Sequence, residues 1–433
     1  MIDFILSEAQ RQVQLRARQF AKECLSGAAD IYNKLPDQSS RFQSTRPTYR
    51  SGWAYGLLKA QIPAPIGGTG TNAIDLAVLV EEIFAADPAT SITILGSGLG
   101  LLPVIIAGSP GQHERLLKPF LAEDGDLLAS FVHSEPGGTA NWLEKGAKGL
   151  QTTATKDGDS WIIHGEKIPK LWTTNSGGWD GKGADLQCVV CRLAERPGAP
   201  QDPSVDPKSL ICILVVTKNE LSNNAPGSYE VLADPELAGF LASSGPHSRF
   251  TQFRVPGKNL LAPPGQGVDV VEKTFGCSAA VVGAMAVGIM RQTFEAVLDF
   301  AKSNDRGGSV PLIQRQSVAD ILINIKMKTE ASRYLVWKAL HAWEAGPGDF
   351  KQRLEFALEA KIFCSDNAVE NVVDAMKAVG IRSYAKDMPF SRLLNDAMCL
   401  PLFDGGNIGV RRRQLEQIFA AKDYKPWAGT YTD

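Results

Sequence analysis

Thr152-Thr153-Ala154-Thr155-Lys156-Asp157-Gly158-Asp159-Ser160-Trp161-Ile162-Ile163-His164-Gly165 is the stretch that decides the fold class. Two runs with a period of two, Thr152 to Lys156 and Trp161 to Gly165, flank Asp157-Gly158-Asp159, and an Asp-Gly pair supplies the positive φ that a tight hairpin requires. More strand-like runs follow at Leu186 to Arg192, Leu210 to Val216 and Phe250 to Val255, the last ended by Pro256-Gly257. Between them, Arg196 to Pro207 and Asn219 to Ser228 are rich in Pro, Asn or Ser and read as loops. Successive strands without intervening helical repeats predict an antiparallel sandwich or barrel over residues 128–257, not a doubly wound sheet.

On either side the period returns to that of a helix. Ser7-Glu8-Ala9-Gln10 fits a capping box, and Val13, Ala17, Phe20, Ala21 and Cys24 then make one apolar stripe. Asn72 precedes Ala73 to Phe84, a run apolar on most sides and therefore expected at the centre of a helical unit covering residues 1–127. Beyond the strands, Val268 to Ala301, Gln316 to Ala345, Phe350 to Val379 and Arg411 to Ala421 are helical, and three helices of such length predict a bundle over residues 258–433. The expectation is an α+β multidomain chain in the order helices, strands, helices.

Composition narrows the partners. The 433 residues suit two or three domains, and 45 Lys plus Arg against 47 Asp plus Glu leave a net charge of −2, which disfavours nucleic acid and points to a small-molecule ligand. Seven scattered cysteines are no disulfide framework, and Met1-Ile2-Asp3-Phe4 begins no secretory signal, so an intracellular, cytoplasmic location is expected. Pro88 to His113 lacks charge apart from its histidine, but Thr90, Ser91, Thr93 and Ser97, the closely spaced Gly96, Gly98 and Gly100, and Pro103 favour buried helix over a membrane span.

Most local motifs carry no chemistry. Cys188 and Cys191 have the spacing of a zinc pair, yet no second pair or nearby His completes a site, and on a strand they point to opposite faces. Gly96-Ser97-Gly98-Leu99-Gly100 imitates part of a dinucleotide fingerprint but lies inside a helical stretch with no preceding strand, which favours close helix packing. The five histidines show no metal-ligand spacing, most are expected on the surface or in loops, and no metal is expected. Two segments stand out. His133 to Trp142 gathers small hydroxyls, glycines and amides suited to a planar polar ligand. Phe403-Asp404-Gly405-Gly406-Asn407-Ile408-Gly409-Val410-Arg411-Arg412-Arg413 is a glycine-rich loop with one carboxylate, running into a helix headed by arginines that oppose its dipole.

Together with Gly108-Ser109 through Phe120, Ser134-Glu135-Pro136, Gly165-Glu166-Lys167, Leu171 to Asn175, Val255-Pro256 to Leu261 and Arg306 to Gln316, this order of elements resembles the acyl-CoA dehydrogenase superfamily of flavoproteins over nearly the whole chain. Arg41-Phe42-Gln43, Pro88 to Ile94, Ser134 to Trp142, Asn175 to Asp180 and Phe403 to Arg413 are similar, more narrowly, to the branch of that superfamily that oxidises nitroalkanes. The resemblance implies a helical N-terminal domain, a central antiparallel β-domain and a C-terminal four-helix bundle, with FAD between them in a homotetramer. It places Val132, His133, Ser134, Gly138 and Thr139 against the flavin ring and Trp172 with Thr174 near its N5 edge. It also implies that Arg306 and Gln316 reach the FAD of a neighbouring subunit. The chain departs from the family at Lys377 to Ser383, where the dehydrogenases carry a glutamine and a Gly-Gly-x-Gly turn.

Asp404 takes the position of the catalytic base, a glutamate in most of the dehydrogenases, and Arg411 and Ser278 match residues that tune it. The implied reaction starts with removal of the α-proton of a neutral nitroalkane by Asp404, for which Arg411 supplies opposite charge and Ser278 an orienting hydrogen bond. It ends with aldehyde or ketone, nitrite and, from molecular oxygen, hydrogen peroxide. An acyl-CoA dehydrogenase or a flavin monooxygenase is the rival activity, and the shorter Asp404 side chain argues against the first. A silent flavoprotein or scaffold fits poorly with Asp404, Arg411 and Ser278 all present.

Overall fold

The computed structural model describes residues 4–168 and 174–430, and Trp172 lies outside them. The first helices are α1 (Glu8–Phe20), α2 (Ala28–Tyr32), α3 (Gln38–Ser44), α4 (Arg46–Ala54), α5 (Ala73–Phe84), α6 (Pro88–Ala107) and α7 (Pro110–Leu116). The capping box at α1 is formed: Gln10 N donates to Ser7 Oγ at 3.2 Å and Ser7 N to Gln10 Oε1 at 2.9 Å. Helix α6 is apolar and long enough to cross a membrane, but most of it is buried within the protein. A Cβ at Gly100 would stand 2.2 Å from the amide nitrogen of Ser130, so the small residues of this helix let it press onto the first strand.

The strands are β1 (Ala129–Val132), β2 (Thr153–Asp157), β3 (Ser160–Lys167), β4 (Leu186–Leu193), β5 (Ile211–Thr217), β6 (Tyr229–Ala233), β7 (His247–Pro256) and β8 (Leu260–Ala262), with helix α8 (Lys218–Asn223) after β5. They form one sheet in the order β6-β7-β3-β2-β4-β5-β8, with β1 beside β4. The β2–β3 hairpin turns at Gly158, at φ 58°. The sheet is mixed where antiparallel pairing throughout was expected, because β1 and β2 both run parallel to β4, against Leu186–Val189 and Arg192-Leu193. Parallel pairs need long crossovers, whereas turn signals in sequence report only adjacent strands. Helix α8 overlaps the expected loop Asn219 to Ser228, started by a capping box between Thr217 and Glu220. Strand β4 is buried on both faces: Cys188 and Val190 join the core shared with the helices, Val189 and Cys191 the core across the sheet. All seven thiols are free.

The remaining helices are α9 (Gly267–Ser303), α10 (Gln316–Ala345), α11 (Phe350–Val379), α12 (Phe390–Cys399) and α13 (Arg412–Phe419). Helices α9, α10 and α11 pack on one another, and α12 packs on α11 and α9. Helix α5 docks on α9 and α10, where Arg291 meets Glu82 at 2.9 Å and Arg333 meets Glu81 at 2.8 Å. One apolar core therefore runs from the first helices through one face of the sheet into the bundle, and the functional cavity opens inside it.

Candidate active site

A cavity of about 1180 Å³ lies where α6, the end of β1, the first half of α9 and the loop after α12 converge. Single-ligand pockets span roughly 300–1,000 Å³, so this one has room for a cofactor and a small substrate together. Leu99, Leu102, Val271, Phe275 and Met285 supply an apolar wall. Ser278 and Asp404 face the same space, as do His133, Ser134, Gly138, Thr139 and Thr174.

Asp404 is 8 % exposed and Arg411 2 %. Each carboxylate oxygen of Asp404 has its own partner. Ser278 Oγ donates to Oδ1 at 2.6 Å, and Arg411 Nη2 donates to Oδ2 at 2.9 Å. Arg411 also straps the backbone, with Nε donating to the carbonyl of Asp404 at 2.7 Å. The fork is completed by Nη1 to Gln414 Oε1 at 3.0 Å and Nη2 to the Phe275 carbonyl at 3.2 Å. A buried carboxylate is tolerable because a guanidinium at contact distance compensates its charge. With two partners on about four lone-pair sites, it retains capacity to accept a proton.

The loop geometry explains the glycines and the arginines. Asp404, Gly405 and Gly406 all have positive φ, at 51°, 89° and 56°, a conformation that only glycine adopts freely. A π-helical turn, Asn407–Arg411, then leads into α13. The helix dipole does not select the three arginines; each has a separate task. Arg411 turns back to Asp404, Arg412 reaches Asp366 at 3.2 Å, and Arg413 reaches Asn141 at 2.5 Å, joining this helix to the loop after β1.

The opposite wall suits a large polar ring. His133 is buried, and its Nε2 has no hydrogen-bond partner among the described residues although it borders the cavity. Burial lowers its pKa to about 3, with the Lys167 charge adding to that effect, so the ring is neutral at physiological pH. It stands edge-to-face with Trp142 and Phe275, at 4.8 and 5.5 Å between centroids. Behind it, Lys167 donates to Glu135 Oε1 at 2.8 Å, the His133 carbonyl at 3.0 Å and the Val190 carbonyl at 2.8 Å. Burial pushes the Glu135 carboxyl up, but Lys167 and the amides of Gln151 and Thr152 outweigh it and hold the group below the ordinary range. Gly137 and Gly138, at φ 89° and 92°, leave open space where a Cβ would stand. An unpartnered imidazole nitrogen and accessible loop backbone fit the edge of a flavin ring.

Of the residues expected at the site, Asp404, Arg411 and Ser278 form one hydrogen-bonded group, and His133, Ser134, Gly138, Thr139 and Thr174 line the same cavity. Val132 does not; alternation along β1 turns its side chain into the core across the sheet. Arg306 and Gln316 are exposed on the bundle away from the cavity, where Arg306, at φ 52°, donates to the Ala378 carbonyl at 2.8 Å. Sequence reasoning missed Phe275, whose carbonyl holds Arg411, and Lys361, which contacts the base loop from behind. Lys361 was visible as a cation on the apolar stripe Leu354, Leu358, Lys361, Ser365, Ala368 and Val372.

This architecture defines an acyl-CoA dehydrogenase fold, and the chain belongs to that family: the family's N-terminal domain matches residues 7–124 and its C-terminal domain residues 265–418. Within the family it belongs with the nitroalkane oxidases. It is 54% identical to the nitroalkane oxidase of Fusarium oxysporum over 432 residues, covering 100% of this chain and 98% of that one. It is 50% identical to the nitroalkane oxidase of Podospora anserina over 431 residues, covering 99% of both chains. A solved nitroalkane oxidase structure, an active-site aspartate-to-asparagine mutant crystallised with 1-nitrooctane, superposes with a TM-score of 0.97 at 53% identity over the whole of both chains. Structures at the same identity and TM-score include an active-site serine-to-alanine mutant with 1-nitrohexane, and a study of the roles of an arginine and an aspartate in the reaction of this flavoprotein.

Proposed function

We propose that this chain is an FAD-dependent nitroalkane oxidase that converts a neutral nitroalkane, water and oxygen to an aldehyde or ketone, nitrite and hydrogen peroxide. The observation that carries the reading is the buried Asp404 carboxylate, held by Ser278 and Arg411 at the edge of an apolar-walled cavity. Ser278 and Asp404 lie 126 residues apart and Asp404 and Arg411 seven, the same separations as between the serine, aspartate and arginine studied in the nitroalkane oxidase structures.

A neutral nitroalkane is a carbon acid. In this reading Asp404 accepts the α-proton, and a positioned general base supplies typically about 10²–10⁴-fold. The Ser278 hydroxyl and the Arg411 fork fix both oxygens of the base, so little reorientation is needed when the proton transfers. Leu99, Leu102, Val271 and Met285 receive the alkyl chain and exclude water from the ionising carbon. His133, Ser134, Gly138, Thr139 and Thr174 would hold FAD, which when bound supplies the electron acceptor that oxygen then regenerates. In a homotetramer, Arg306 and Gln316 would face the cofactor of a neighbouring subunit.

Anaerobic mixing with nitroethane tests the assignment. Flavin bleaching with nitrite release is expected, and bleaching by an acyl-CoA alone would refute it. Asp404→Asn should abolish reduction by neutral nitroethane while sparing much of the reaction with preformed nitronate, which needs no base.

A further inference from the structure

Behind the loop that carries Asp404 lies a charged group with no part in the chemistry above. Lys361, on α11, has no solvent exposure, and its ammonium donates to Asn407 Oδ1 at 2.6 Å. The donors of Asn407 are engaged as well. Its Nδ2 donates to Ser365 Oγ at 2.9 Å and to Asp366 Oδ1 at 2.7 Å, and its backbone N–H donates to the Pro401 carbonyl at 2.8 Å. It opens the π-helical turn between Asp404 and Arg411, immediately after three residues of positive φ. An aspartate persists in that conformation only when its surroundings over-determine it. Ser278 and Arg411 hold the loop on one side, and Lys361, Ser365 and Asp366 of α11 hold it on another, through the one side chain of Asn407, which with Asp366 also borders the cavity.

Lysine is an expensive choice for this position. An apolar side chain would continue the buried stripe of α11 without desolvating a charge. Burial presses the Lys361 pKa down to about 7, with Asp404, Asp366 and Cys399 opposing that shift and Arg411 adding to it. The only hydrogen-bond acceptor that repays the ammonium among the described residues is on the base loop.

We propose that Lys361 is a positioning residue for proton abstraction, fixing the base loop through Asn407 so that the Asp404 carboxylate meets the substrate α-carbon. This rests on the nitroalkane-oxidation reading. Lys361 touches neither the substrate nor Asp404; its effect passes through the Asn407 amide. Removing the ammonium would orphan Asn407 Oδ1 in a buried site and release the turn.

The test is rapid anaerobic reduction of the holoenzyme by neutral nitroethane and, separately, by preformed ethyl nitronate. Lys361→Met should lose about tenfold or more with nitroethane, the scale of one buried hydrogen bond, and stay within about twofold with the nitronate. Asn407→Ala should reproduce this split, and the double variant should be no slower than the more severe single, because both changes cut one link. Should Lys361→Met fail to retain flavin, the split in Asn407→Ala decides. Equal losses on both substrates, or losses that multiply in the double variant, would overturn the proposal. Failure of the wild-type enzyme to be reduced by neutral nitroethane would instead overturn the reaction assignment on which it rests.

Discussion

Replacing Arg411 by lysine keeps the positive charge beside Asp404 and removes the fork. The native guanidinium makes four hydrogen bonds, two to the side chain and carbonyl of Asp404, one to the Phe275 carbonyl and one to Gln414. A lysine ammonium is a point charge that can follow Oδ2 but cannot also hold the Asp404 carbonyl from a planar fork. Losing that strap frees Asp404 to leave its φ of 51°, a conformation that stores on the order of 1–3 kcal/mol. At about 1.4 kcal/mol per decade, kcat/KM for neutral nitroethane should fall about 10- to 100-fold. Arg411→Met also strips the counter-charge from a buried carboxylate, a change that costs about 3–5 kcal/mol, so its loss should exceed about 10²-fold. Anaerobic flavin reduction by nitroethane and by ethyl nitronate measures both variants, and the nitronate rate should stay within about threefold of wild type in Arg411→Lys. A lysine variant as fast as wild type would show that the fork contributes nothing. A lysine variant as slow as the methionine one would show that charge alone does not preserve the base.

Acidification should destabilise the protein through His133, whose pKa burial lowers from 6.5 to about 3. The neutral ring's contribution is complete above pH 6.5 and is lost as pH falls toward 3, at about 1.4 kcal/mol per unit. Unfolding free energies from urea titrations at pH 7 and pH 5 should therefore differ by about 2 kcal/mol more in wild type than in His133→Phe, and equal differences would exclude His133 as the source. Lys167→Met leaves Glu135 buried without its counter-ion and should lose about 3–5 kcal/mol in the same assay, much of it recovered in the Lys167→Met/Glu135→Gln double variant. Gly405→Ala places a Cβ 2.7 Å from Arg411 Nε at a φ of 89°, and at about 1–2 kcal/mol for the left-handed backbone it should slow nitroethane reduction by about tenfold while sparing the nitronate. Unchanged rates would show that the loop tolerates a shift of the Arg411 strap.

Local signals in the chain determined much of this protein. Helical period, caps and turn residues are written in short windows, which is why α10 and α11 run over Gln316–Ala345 and Phe350–Val379 as read, and why the hairpin turns at Gly158. The glycine-rich loop with a single carboxylate was conspicuous for a local reason, since arginines at the head of a helix have no support from propensity. Family resemblance, not composition or period, assigned roles to Asp404, Arg411 and Ser278. Tertiary structure decided what short windows cannot encode. The parallel pairing of β1 and β2 with β4 depends on crossovers, and Ser278 reaches Asp404 across 126 residues only because α9 and the loop after α12 face one cavity. The same holds for Lys361: in sequence it is a charge on an apolar stripe, and only the packing of α11 behind the base loop gives that charge its partner in Asn407. Period and turn chemistry act between neighbours in the chain, whereas a buried charge is defined by what surrounds it in space.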